Sequence, residues 1–178
     1  MEAFADRGFR GASLDSIAEG VGLTRQGLLH YFPSKTDLLL AVLDQRDRDD
    51  EQWAAELQAQ GHRPLGDALR ELLRRVYDEP QLIQLFTVVV AESLQPEHPA
   101  HGHIRDRYSA ARDRWAAGIA QEQALGNISP TVDAAALGVA LMALMDGLHV
   151  QHLLDPNVDV VAALEQVVAL VGPPDPRQ

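Results

Sequence analysis

The stretch Ser13 to Lys35, SLDSIAEGVGLTRQGLLHYFPSK, decides how this chain folds. Leu14, Ile17, Ala18 and Val21 recur at i, i+3, i+4 and i+7, the spacing of one apolar helix face. Ser13 stands just ahead as an N-cap, with Asp15 in the first turn. Gly22 follows the last apolar position, where glycine ends a helix in a left-handed conformation without strain. Thr24 then caps a second helix, Arg25 to Phe32, and Leu23 with Leu28 form a hydrophobic staple across its start. Two short helices around a glycine turn make a helix-turn-helix.

The second helix carries the chemistry. Leu28 and Phe32 point inward, so Arg25, Gln26, Leu29 and His30 share the outward face. Arginine and glutamine pair with guanine and adenine edges, and an apolar side chain meets a thymine methyl. Arg25 sits in the first turn of this helix. Lys35 sits in the first turn of the next one, after Pro33 and the cap Ser34. Helix N-termini favour acids over cations by roughly 0.3–1 kcal/mol, so both are misplaced for stability alone. They are well placed for an arriving phosphate, which free backbone N–H groups would also bind. The plain alternative is two solvated surface cations.

Gly8-Phe9, Ser13-Leu14-Asp15-Ser16-Ile17-Ala18, Gly22, Leu23-Thr24-Arg25 and His30 to Lys35 with Leu38-Leu39 follow one another in an ordered pattern. It resembles the DNA-binding domain of TetR-type repressors. That resemblance implies that the second helix enters the major groove. It also implies that Ser13, Thr24, Arg25, Gln26, His30, Tyr31 and Lys35 contact bases or phosphates. The family usually carries tyrosine where this chain has Leu29, so that contact becomes apolar or is lost. Family members also carry a longer first helix with a basic arm.

The formal charge of −11 argues against DNA only if it is spread evenly. Residues 1–46 hold five basic side chains (Arg7, Arg10, Arg25, Lys35, Arg46) and six acidic ones (Glu2, Asp6, Asp15, Glu19, Asp37, Asp44), close to balance. The acidic excess belongs to the remainder, which a duplex would repel, leaving the head to touch it. One small head makes few phosphate contacts, so two copies are expected. Cysteine is absent, which excludes disulfides and thiolate chemistry. The longest apolar run, 134–145, falls short of the roughly 20 residues that span a bilayer, and no signal segment opens the chain. These features predict a cytoplasmic protein.

Along the chain, Glu2 to Arg7 reads as the tail of a first helix stopped by Gly8. A third long helix begins at Ser34, with Ser34 and Asp37 as a capping box. The charged run DQRDRDDEQ (44–52) reads as a solvated helix face or a frayed linker. Leu65 to Tyr77 is amphipathic. Gln81 to Gln95, despite its strand-like Thr87-Val88-Val89-Val90, reads as a buried helix because no partner strand exists. A loop over 96–103 precedes a helix marked by Ile104, Tyr108, Ala111, Trp115 and Ile119. Helices over Thr131–Leu154 and Asp159–Val171 follow, the last stopped by Gly172-Pro173-Pro174. The expected fold is all-α, with a helix-turn-helix head over 1–46 and a helical ligand-binding and dimerisation domain over 47–178.

The helices over 131–154 and 159–171 carry more apolar surface than one face needs, so they are either buried in their own subunit or form a two-fold four-helix interface. The motif DGLHVQHLLDP (146–156) resembles the C-terminal region of the TetR subgroup typified by the betaine-responsive repressor. The family implies a small-molecule effector, for which the candidate lining is Phe86, Val89, Tyr108, Trp115, Met142, Met145 and His149; each is equally readable as plain core. His98, His101 and His103 cluster, but without fixed geometry they predict no physiological metal, and no cofactor is expected. Asp146, His149 and His152 are either pocket groups or hydrogen-bonded polar groups at a helix interface. No zinc-protease, nucleophile-elbow or phosphate-loop motif occurs, so an enzyme is not expected. The chain therefore reads as a ligand-responsive regulator, a repressor binding a pseudo-palindromic double-stranded operator as a homodimer. The rival is a ligand-binding or interaction protein with a degenerate head.

Overall fold

The computed structural model describes residues 2–171, which hold nine helices and no strand. They are α1 (Glu2–Gly11), α2 (Leu14–Gly20), α3 (Arg25–Tyr31), α4 (Lys35–Ala59), α5 (Leu65–Tyr77), α6 (Pro80–Glu92), α7 (His101–Ala124), α8 (Ala134–Leu154) and α9 (Val160–Leu170). The all-helical expectation therefore holds over these residues. The predicted stop at 172–174 lies outside them.

Two compact units divide the chain: residues 1–62 with 80–105, and residues 63–79 with 106–178. This division differs from the expected 1–46 and 47–178. Helix α4 continues without a break through position 46, its charged stretch carried as helix with an Arg46–Asp50 pair at 3.1 Å. Helix α6 packs against α1 and so belongs with the head elements.

In the first unit, Phe4, Leu28, Leu38, Leu39, Leu43, Leu85 and Val89 are all buried. The Thr87–Val90 segment is helical, as its length and lack of a partner strand required. Gly8 ends the first helical stretch, as expected. It kinks the helix at φ 65°, ψ 179°, and three further helical residues follow. Only glycine adopts that backbone freely. The expected loop over 96–103 lies three residues earlier, over 93–100, since α6 ends at Glu92 and α7 begins at His101.

In the second unit, Leu65, Leu69 and Leu73 of α5 meet Ile119, Leu141, Met145, Leu148, Val160 and Leu164 in one apolar cluster. Gly138 lets α8 lie close to α7, because a Cβ there would come within 3.2 Å of Trp115 Cβ. Its small size thus serves packing within the chain. Helix α8 starts at Ala134 rather than Thr131, because Asp133 caps it by accepting from the Ala135 and Ala136 N–H groups. With 21 residues and a mean hydropathy of 1.4, α8 meets the length and composition of a membrane span, which its short uninterrupted apolar run hid. Core helices pass the same test, and Leu141, Met145 and Leu148 are buried in this unit.

Leu39 has no exposed surface. Leu39→Ala is expected to lower unfolding stability by about 2–5 kcal/mol, the usual range for a buried leucine truncated to alanine, as read by chemical denaturation.

Candidate nucleic-acid interface

Helices α2, α3 and α4 are each started by a side chain the sequence identified. Ser13 Oγ accepts from Ser16 N at 3.1 Å, Thr24 Oγ1 from Gly27 N at 3.0 Å, and Ser34 Oγ from Asp37 N at 3.1 Å. Ser34 Oγ also donates to Asp37 Oδ2 at 2.7 Å, so the two residues of the expected capping box are paired through their side chains. Gly22 closes the turn at φ 70°. Leu28 is buried, which fixes the rotation of α3 and leaves Thr24, Arg25, Gln26, His30 and Tyr31 exposed, with Leu29 half-buried. Ser13 is exposed as well. His30 and Tyr31 meet edge to face at 5.4 Å.

The two cations differ. Arg25 Nη1 lies 3.3 Å from Asp15 Oδ2, with both side chains largely in solvent. Such a pair is worth ~0–1 kcal/mol and opens readily. Lys35 is committed to the protein: Nζ donates to Ala12 O at 2.9 Å and Arg10 O at 3.4 Å, and stands 4.6 Å from the centre of the Phe9 ring. Sequence reasoning treated Lys35 as a free cation and missed this, because the contact joins residues 23 and 25 positions apart.

The candidate effector residues fall into both units. Phe86 and Val89 lie on α6 in the first; Tyr108, Trp115, Met142, Met145 and His149 lie in the second. Trp115 packs against the apolar cluster that contains Met145. Tyr108 Oη donates to Asp146 Oδ2 at 3.0 Å. Burial, followed by the neighbouring Asp146 charge, raises the Tyr108 phenol above its ordinary range; burial likewise raises the Asp146 carboxyl.

The sequence overlooked Tyr77, which reads there only as the end of α5. Its ring lies 4.6 Å from His152 and 5.8 Å from His149. Tyr77 Oη, His149 Nε2 and His152 Nδ1 are buried with no hydrogen-bond partner among the described residues. Burial pushes the Tyr77 phenol up to about 12 and holds His149 below the ordinary imidazole range, with His152 adding to the depression. Tyr77 and His149 are therefore polar and uncharged at neutral pH.

The three loop histidines do different things. His101 Nδ1 donates to Ser93 O at 2.8 Å, His98 Nδ1 accepts from Ala100 N at 3.2 Å, and His103 faces Asp44 and Asp47. No group of three or more metal-ligating His, Asp or Glu side chains occurs among the described residues.

Residues 1–42 match the family described as bacterial regulatory proteins, tetR family. Residues 80–172 match the BetI-type transcriptional repressor, C-terminal family. The chain is 38% identical over 92 residues to the HTH-type transcriptional regulator RutR of Escherichia coli (strain K12), covering 48% of this chain and 42% of that relative. It thus spans less than half the length of that relative. To the HTH-type transcriptional regulator TtgR of Pseudomonas putida it is 29% identical over 175 residues, covering 93% of this chain and 82% of the relative. A TetR-family transcriptional regulator from Rhodococcus sp. superposes with a TM-score of 0.75 at 26% identity, covering 96% of this chain and 92% of that one. These relatives are transcriptional regulators, not enzymes.

A histidine whose folded pKa lies below its unfolded value binds more protons unfolded, so acid favours unfolding. His149 and His98 are both depressed, His98 by burial first, with Glu92 raising it and Arg10 lowering it. The denaturation midpoint is expected to fall between pH 7.5 and pH 5.5, and the fall should shrink in His149→Asn. A midpoint independent of pH across that window contradicts the assignment.

Proposed function

The chain belongs to the TetR family of bacterial regulatory proteins, and from that premise we propose that it is a ligand-responsive repressor that binds a pseudo-palindromic operator as a homodimer. The observation that carries this reading is the exposed face of α3, which presents Arg25 and Gln26 beside His30 and Tyr31 over a buried Leu28. In this reading residues 1–46 enter the duplex and 47–178 form the ligand-binding and dimerisation body. Arg25 and Gln26 read bases. Ser13, Thr24, Tyr31 and Lys35 hold phosphates, and His30 with Leu29 make secondary groove contacts. Access to chromosomal DNA requires a cytoplasmic protein.

Dimerisation through α8 and α9 is supported by the apolar surface they leave in solvent: Val139 and Val150 on α8, and Leu154 and Leu170, the last two more than 80% exposed. Large contiguous exposed apolar patches mark interaction sites. A two-fold pairing of these helices would set two recognition helices about 34–36 Å apart, one DNA turn, or a multiple of it.

The effector acts by binding the arrangement that cannot hold DNA more tightly than the one that can, since only differential affinity moves such an equilibrium. Tyr108, Trp115, Met142, Met145 and His149 of the second unit are its proposed lining, extended now by Tyr77 and His152. Leu29, where the family usually has tyrosine, favours one second reading, a ligand-binding protein with a degenerate head; failure of the dimer to shift its own neighbouring promoter would support it.

Three outcomes test the division of labour. Gln26→Ala should relax preference at one base pair by about 1–3 kcal/mol, whereas Lys35→Ala should weaken binding to all sequences and flatten the salt dependence. Asp15→Asn, which releases Arg25 from its exposed partner, should tighten binding several-fold at low salt, on the scale of ~1 kcal/mol for one surface pair. Val139→Glu should convert dimer to monomer in sedimentation and abolish the shift. Equal losses across all sequences from Gln26→Ala and Lys35→Ala would end the proposal.

A further inference from the structure

The kink at Gly8 creates a second helix start inside α1. Ala12 N donates to Gly8 O at 3.2 Å, so the restarted segment is helical from Phe9 onward. Its first N–H, that of Phe9, has no helical acceptor behind it. Glu92, the last residue of α6, supplies one: Oε2 accepts from Phe9 N at 2.7 Å. The fit is close. A Cβ on residue 8 would lie 2.5 Å from Glu92 Oε1, so the glycine serves both the left-handed backbone and the approach of the carboxylate.

His98 packs beside that carboxylate, and its Nε2 is buried with no hydrogen-bond partner among the described residues. Its Nδ1 accepts from Ala100 N at 3.2 Å and so carries no proton, which leaves the proton on Nε2. Nε2 lies 3.8 Å from Glu92 Oε2, the oxygen bound to Phe9, and the His98 side chain is only 6% exposed. The imidazole also packs edge-on against the Phe9 ring at 5.3 Å. From the other end, Lys35 grips the same segment through Arg10 O and Ala12 O. Ser13, the cap of α2, follows immediately, and Lys35 opens α4 directly after α3. On the earlier side of the kink, Gln84 Nε2 of α6 donates to Ala5 O at 3.2 Å.

We propose that Glu92 is a positioning residue for DNA binding: its carboxylate caps the kinked α1 at Phe9 and thereby sets the helix-turn-helix that Lys35 ties to the same four-residue segment. Glu92 itself touches no DNA in this proposal, which rests on the reading of residues 1–46 as the operator-binding head.

The test uses a fluorescent duplex enriched from a randomised 20-bp library by the full-length wild-type protein, with affinity, melting temperature and Phe9 amide exchange measured on each variant. Glu92→Ala is expected to weaken duplex binding about tenfold, the size of one lost helix cap, and to speed Phe9 exchange, with little change in melting temperature. Glu92→Gln keeps an acceptor oxygen and should restore most of both. Gly8→Ala should mimic Glu92→Ala, and the double variant should lose little more than either, because the two act on one contact. Wild-type affinity in Glu92→Ala overturns the proposal, as does a Gln variant as weak as the Ala variant, or an affinity loss that only tracks lost stability. If Glu92→Ala does not fold, Glu92→Asp decides, because its carboxylate is one methylene short of Phe9 N: a several-fold loss of affinity is expected and no loss overturns. Failure of the wild type to enrich any duplex is a different result, which overturns the reading of the head and this proposal with it.

Discussion

Helices of seven residues do not hold together in water on their own hydrogen bonds, because nucleation costs more than two turns return. Both α2 and α3 are of that length. The head exists because the orphaned groups at its helix ends are supplied with partners and its single inward face is buried. Ser13, Thr24 and Ser34 each satisfy a backbone N–H, and caps of this kind are worth ~1 kcal/mol apiece. Over long sequence distances, Glu92 does the same for the Phe9 N–H, and Lys35 donates to the carbonyls of Arg10 and Ala12 at the other end of residues 9–12. Burial of Ala18 and Leu28 then fixes which faces of α2 and α3 look outward. The functional surface is what remains once every inward and terminal position has been used.

That economy explains what could be read in the sequence. Caps act over three residues and amphipathic faces over eleven, so Ser13, Gly22, Thr24, Ser34 and Leu28 declared themselves locally, and the helix-turn-helix was legible down to single residues. The helix formed by Pro80–Glu92 was legible too, since no partner strand existed for its valines. Three features were not. Gly8 read as a stop, which it is; its second role, admitting the Glu92 carboxylate, needs a residue 83 positions from Phe9. Tyr77 read as a terminus because its histidine neighbours lie on α8. The boundary at residue 46 falls within α4, and the packing of Pro80–Glu92 onto α1, which groups that helix with the first unit, had no local signal. In each case the missing information was a contact between distant parts of the chain.

The electrostatics follow the same logic. A protein of net charge −11 meets a polyanion only if its charge is arranged by position. No acid lies between Leu23 and Lys35, the span that faces outward on α3. The nearest carboxylate in contact there, Asp15, holds Arg25 at a solvent-exposed 3.3 Å. In high dielectric that attraction is weak and is readily exchanged for a phosphate.

Lys35 behaves differently, and the contrast refines what a cation at a helix start means. Its ammonium is multiply bound to α1 carbonyls and sits over an aromatic ring, an arrangement that a surface arginine pair does not match. Those carbonyls end α1, where the helix dipole favours a positive charge. The misplacement inferred from α4 alone therefore disappears once α1 is considered: the residue is at the wrong end of one helix and the right end of another. An ammonium has three donors, and two are used within the chain. A phosphate contact from Lys35 would employ the third while the first two hold α1 in place. Positioning and binding are then properties of one side chain, and a substitution there alters geometry and charge together, whereas at Arg25 it alters charge alone.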